Sequence, residues 1–135
     1  MTHLQHLLEA IVDGDVATVT ALIASGIDVN VGHDSHLPPL FQAIEHQRVD
    51  IARRLIDAGA DVNWDSGNGW TPLVHAIDIE SDSAWQAHHE TGHESTDLSV
   101  MLLAAGAVPT RTAFDIAAEY ANSKALMLLE QAGRV

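Results

Sequence analysis

The chain has 135 residues, 47% of them hydrophobic and 19% charged, with no cysteine and a formal net charge of −13 from 19 acidic and 6 basic side chains. That length and apolar content suit a single domain with one continuous core; zero cysteines exclude disulfides and thiol chemistry, and no apolar run approaches the roughly 20 residues of a bilayer-spanning helix. The basic residues Arg48, Arg53, Arg54, Arg111, Lys124 and Arg134 are too few and too scattered to follow a phosphate backbone, so nucleic acid is not the expected ligand.

The first predicted elements are a helix containing Ala10 and a second helix that stops at Gly26, before Ile27-Asp28-Val29-Asn30. The same ending returns as Ala58-Gly59-Ala60-Asp61-Val62-Asn63, with the two glycines 33 residues apart. That offset also carries Val16 onto Val49, Leu22 onto Leu55, Ala10 onto Ala43 and then Ala76, and Pro39 onto Pro72. A fixed offset of this size marks a repeat array. Helix starts are predicted where proline can occupy the first position without losing a hydrogen bond, and Thr71 before Pro72 is placed to cap the free amides. Helix stops are predicted at Gly26, Gly59, Gly106 and Gly133, residues free to adopt positive φ.

From the inner-helix alanine to the terminating glycine, Ala10–Gly26, Ala43–Gly59 and Ala117–Gly133 each span 16 residues, which counts four units. Ala76–Gly106 spans 30, so the third unit carries 14 extra residues between its helices, placed at approximately Glu80 to Asp97. The next connection is short: Gly106 to Phe114 takes 8 residues where Gly59 to Leu73 takes 14. The last outer helix puts Lys124 and Glu130 where its predecessors carry Val or Leu, as a terminal unit with a polar outer face requires.

Thr71, Pro72, Leu73 and Ala76 at a helix start, with Leu55 and Gly59-Ala60-Asp61-Val62-Asn63 at a unit's end, resemble the ankyrin repeat. The resemblance implies an all-α ankyrin repeat solenoid of four helix-turn-helix repeats, approximately 1–32, 33–65, 66–110 and 111–135, within one domain spanning 1–135, and with a long insertion, approximately 80–97, between the helices of the third repeat. His75 stands one position after the family's usual histidine, which puts that motif's bond to Thr71 in doubt.

The resemblance also implies binding through the finger loops and the exposed ends of the inner helices. Those ends carry Val12 and Asp13, Glu45 and His46, Asp78 and Ile79, and Glu119 and Tyr120. Every pair holds an acidic residue, so stacking is expected to align a negative column on the concave side, matched to a basic protein partner; the alternative is a charged face kept for solubility. The fingers add Asp34, Ser35 and Leu37, then Asp65, Asn68 and Trp70, and the insertion adds Trp85. Trp70 is either a binding anchor or a residue packed across the finger against Trp64.

Within the insertion, His89-Glu90-Thr91-Gly92-His93 formally matches the HExxH of zinc metallopeptidases, in which two histidines one helical turn apart hold the metal. Gly92 disfavours the helix that this geometry needs, the segment reads as poorly helical, and Ser95, Thr96 and Ser99 offer no third ligand. The segment therefore reads as an ordered surface loop, with His88, His89 and His93 as weak metal ligands at most. No phosphate loop and no nucleophile elbow is present. The expectation is a cytoplasmic, non-enzymatic protein, monomeric when free and without a cofactor, that binds a basic protein; an immunity protein or toxin inhibitor is the sharpest form of that reading. The alternative is a zinc-dependent hydrolase using residues 89–93.

Overall fold

A computed structural model of the chain describes residues 2–30, 37–88 and 96–133, with the backbone alone over 83–88. Among the described residues the structure is all helical, with eight helices: α1 His3–Asp13, α2 Val16–Ala24, α3 Pro39–Glu45, α4 Val49–Asp57, α5 Pro72–His88, α6 Asp97–Ala104, α7 Arg111–Glu119 and α8 Ser123–Ala132.

Local chemistry sets most of the boundaries. Thr2 and Gln5 cap α1 reciprocally, the Gln5 amide donating to Thr2 Oγ1 at 3.1 Å and the Thr2 amide to Gln5 Oε1 at 2.9 Å. Asp15, Thr110 and Asn122 accept from backbone amides at the heads of α2, α7 and α8. Pro39 and Pro72 open α3 and α5 as expected. Thr71 does not act as a cap: its hydroxyl is buried without a hydrogen-bond partner. Gly26, Gly59 and Gly106 adopt φ of 92°, 101° and 100° just past the ends of α2, α4 and α6. Gly133 departs from that expectation: its φ is −78°, so the end of α8 needs no glycine.

The chain gathers into two compact units, Met1–Asp61 and Val62–Val135. In the first, α1 packs on α2 and α3 on α4, with α1 also against α3 and α2 against α4. Leu7, Ile11, Val19, Leu40, Phe41, Ile44, Ile51 and Leu55 form its buried centre. In the second, α5 packs on α6 and α7 on α8, with α5 against α7 and α6 against α8. Leu73, Ile77, Leu98, Leu102 and Leu129 are buried there, and Ala113 and Ala117 give α7 a small, fully buried face. Burying these side chains is the main stabilising contribution, about 1.5–3 kcal/mol for each large one.

One side chain per loop ties successive helix pairs together. In the first unit the Asn30 amide donates to the Gly59 carbonyl at 2.9 Å and accepts from the Asp61 amide at 2.6 Å. In the second, Asn63 donates to the Gly106 carbonyl at 3.2 Å and accepts from the Val108 amide at 2.8 Å. Both sites satisfy backbone groups freed where a helix has ended.

Candidate functional site

The exposed ends of the inner helices follow from the tight turns that stop them. α1, α3 and α7 each give way within three residues to the helix that follows, which leaves the last side chains of the inner helix outside the helix–helix contact. In the first unit Val12, Asp13, Glu45 and His46 are all exposed. Gln42 Nε2 lies 3.3 Å from His46 Nε2 and steadies that ring from one turn back. Arg48, in the turn after α3, donates from Nη2 to the Val12 carbonyl at 2.6 Å, placing a cation at the negative end of α1.

The second unit is built differently. Glu119 is exposed, whereas Asp78, Ile79 and Tyr120 are half-buried. The Tyr120 hydroxyl donates to Asp78 Oδ1 at 3.2 Å, and Asp82, one turn further along α5, bonds the same hydroxyl. Burial and the two carboxylates push the phenol up to about 12, because ionising it would add a third negative charge. Asp78 and Tyr120, both expected among the partner-facing residues, are thus bonded to one another.

The finger ahead of α5 is a closed structure. Asp65 Oδ1 accepts from the amides of Gly67 and Gly69 at 2.8 and 3.2 Å, the Trp70 amide donates to the Gly67 carbonyl at 3.0 Å, and the Ser66 amide and hydroxyl both donate to the Trp70 carbonyl. Asn68 and Gly69 both have positive φ, 55° and 76°. The tip is fastened to the head of α7, where Thr112 donates to the Asn68 carbonyl at 2.6 Å and Thr110 to the Gly69 carbonyl at 2.8 Å. A Cβ on Gly69 would approach Thr112 Oγ1 to 2.9 Å, so glycine is required there by contact as well as by backbone. Asn68 keeps an exposed side chain, and Trp70 is half-buried. Its indole Nε1 donates to His75 Nδ1 at 3.3 Å, with the rings edge-on at 63° and 6.2 Å between centroids, so the bonded partner of Trp70 is His75 in the first turn of α5.

Sequence reasoning missed the polar side chains buried along the second half of α5. The segment from Glu80 onward, expected as a polar surface insertion, continues α5 as far as His88, and Glu80 and Ser81 are buried. The Glu80 carboxylate reaches the head of α6, accepting from the Leu98 amide at 3.1 Å, the Ser99 amide at 3.3 Å and the Ser99 hydroxyl at 2.5 Å. Thr96, next to that helix, makes no capping bond with its side chain. Ser81 Oγ accepts from Asn122 Nδ2 at 2.8 Å, joining α5 to the head of α8. The available signal was helical spacing: Leu73, Ala76 or Ile77, and then Glu80 or Ser81 fall on one face.

Leu37 is exposed ahead of α3. Asp34 lies outside the described residues, as does the segment 89–95 with His89 and His93, and Trp85 falls where only the helical backbone is described. Among the described residues no group of three or more His, Asp or Glu side chains is placed to hold a metal ion, and no helix is long and apolar enough to cross a membrane.

Paired helices repeated along the chain, loops bridged by a recurrent asparagine, and polar side chains at the exposed inner-helix ends define a helical-repeat scaffold that offers a preformed surface. The family model for ankyrin repeats, in three copies, matches residues 7–84, and the chain belongs to the ankyrin-repeat family. No curated protein matches the sequence. Ankyrin repeats are generally protein–protein interaction modules, and a protein partner is accordingly indicated.

Proposed function

We propose that the chain is a non-enzymatic binding module for a basic protein, which it takes through the exposed inner-helix ends and the finger loops. The observation that carries this reading is the recurrence of an exposed carboxylate in the last turn of an inner helix, Asp13, Glu45 and Glu119, in a chain of net charge −13. Such a field raises the encounter rate with a cationic surface and disfavours acidic competitors. Asn68 and Trp70 on the fastened finger add a rigid contact, which binds with little ordering cost. Leu37, His46, Asp78, Ile79, Tyr120, Asp34 and Trp85 complete the proposed partner-facing set.

The four-repeat division, the single domain over 1–135 and the insertion at about 80–97 belong to the same reading. So do a monomeric free state, a cytoplasmic setting and a role as an immunity protein or toxin inhibitor that covers a cationic active site. The test is capture of the partner on tagged protein, washed at low and high salt, beside the variant Asp13→Lys/Glu45→Lys/Glu119→Lys. Asp78 is left intact because its loss would unseat Tyr120. Retention of a basic protein by the parent, lost in the variant and at high salt, is the expected result. Equal retention by a folded variant would sink the electrostatic reading, and stoichiometric zinc with no partner would favour the hydrolase alternative.

A further inference from the structure

We propose that His75 is a proton-operated latch on Trp70. An indole N–H can only donate, so the bond from Trp70 Nε1 to His75 Nδ1 requires that nitrogen to be unprotonated and fixes the imidazole in the Nε2–H tautomer. A proton on Nδ1 sets one N–H against another. The bond is lost and the edge-on contact at 6.2 Å has no polar hold left, so the indole is released.

The finger backbone does not follow. The Trp70 carbonyl is held by the Ser66 amide and hydroxyl, and the two carbonyls before it by Thr112 and Thr110, none of which titrates in the histidine range. The device therefore moves a side chain on a fixed loop.

Other ionisable groups lie on the surrounding elements. Asp65 in the finger is committed to the Gly67 and Gly69 amides, Asp78 and Asp82 on α5 to the Tyr120 hydroxyl, and Glu80 to the head of α6. Asp97 on α6 and Arg111, Asp115 and Glu119 on α7 are exposed, where water and salt screen them. Imidazole is the side chain whose ordinary titration falls between about pH 5 and 8. If Trp70 contacts the partner, as the preceding section proposes, acid converts a preorganised aromatic into a mobile one and weakens binding.

The latch is tested on the free protein, so a failure to find a partner leaves the test standing. Nitrogen-15 NMR of the wild type follows the Trp70 indole resonance, assigned through Trp70→Phe, from about pH 8 to pH 5. The expected result is a one-proton transition in that resonance coincident with the His75 ring nitrogens, an unprotonated Nδ1 at the alkaline end, and exchange protection of the Gly69 and Trp70 amides unchanged within about twofold. His75→Gln keeps an acceptor that does not titrate, and abolishes the transition. An indole resonance flat across the range, an Nδ1–H tautomer at the alkaline end, or a transition that survives in His75→Gln overturns the latch. Parallel loss of protection at Gly69 and Trp70 overturns the side-chain form in favour of whole-finger opening. The tautomer readout needs only wild-type protein, so the proposal stays decidable if His75→Gln does not fold.

Discussion

Replacing Glu80 with alanine should damage the second unit out of proportion to the few heavy atoms it removes. A helix begins with amides that lack intrahelical acceptors, and at α6 those of Leu98 and Ser99 are met by a carboxylate lying 18 and 19 residues earlier in the chain. Glu80, Leu98 and Ser99 are 4%, 2% and 2% exposed, so water cannot take over when the carboxylate goes. A hydrogen bond to a charged group is worth about 1.5–3 kcal/mol and a buried donor left unmet costs about 1–3 kcal/mol. Three donors share one carboxylate whose own desolvation offsets part of the gain. The net expectation for Glu80→Ala is a loss of about 3–5 kcal/mol, a large share of a typical domain's 5–15 kcal/mol. Glu80→Gln retains an acceptor oxygen and should lose about 1–2 kcal/mol. Urea unfolding followed by circular dichroism gives both values, and hydrogen exchange at the Leu98 and Ser99 amides locates the effect. A loss for Glu80→Ala below about 0.5 kcal/mol would refute the argument, since it would mean that α6 starts equally well without that cap.

Two further outcomes are expected. Leu55 is fully buried at the centre of the first unit, so Leu55→Ala should lower stability by about 2–5 kcal/mol in the same unfolding assay, and a tolerant Leu55 would contradict the repeat register. Tyr120 is the chain's one tyrosine, so phenolate absorbance reports it alone; the wild type should titrate near 12 and Asp78→Asn measurably lower. Because the folded value lies above the ordinary one near 10, the associated stability is complete below about pH 10 and is lost as pH rises toward 12. A titration near 10 in the folded wild type would mean that the two carboxylates do not act on the phenol.

The repeat frame was legible because it is written in local chemistry. Glycines past α2, α4 and α6 take the positive φ expected of them, prolines open α3 and α5, and Leu55, Ala43 and Ala76 are buried where the 33-residue offset puts equivalents. What stayed hidden depends on pairs of distant residues. Composition sends Glu80 to the surface, and only the α5–α6 contact makes it a cap; the repeat register puts Asp78 and Tyr120 among the partner-facing residues, and only the α5–α7 contact shows that they bond each other. Trp70 was a choice between presentation and packing, and its actual partner is an imidazole five residues along the chain, brought round by the first turn of α5.

The asparagine bridges keep one bond pattern over two different lengths of chain. Asn30 joins groups 29 and 31 residues away, and Asn63 the equivalent groups at 43 and 45, so the bond pattern survives a separation 14 residues longer. Part of that length is absorbed as helix: α5 has 17 residues where α1, α3 and α7 have 11, 7 and 9. A helix that outruns its repeat would leave the following helix without a fixed starting point, because α6 can no longer begin a tight turn after α5 ends. Glu80 supplies that starting point from the side. It sits where α5 still lies within the framework, and it sets the first turn of α6 beside it whatever path the chain takes in between. Ser81 and the Asp78–Asp82 pair do the same toward Asn122 and Tyr120, so the longest inner helix is fastened to three neighbours over a span of five residues. Loop closure itself costs little extra for added length. The demanding step is the return of the chain to register, and in this protein buried polar side chains of α5 accomplish it.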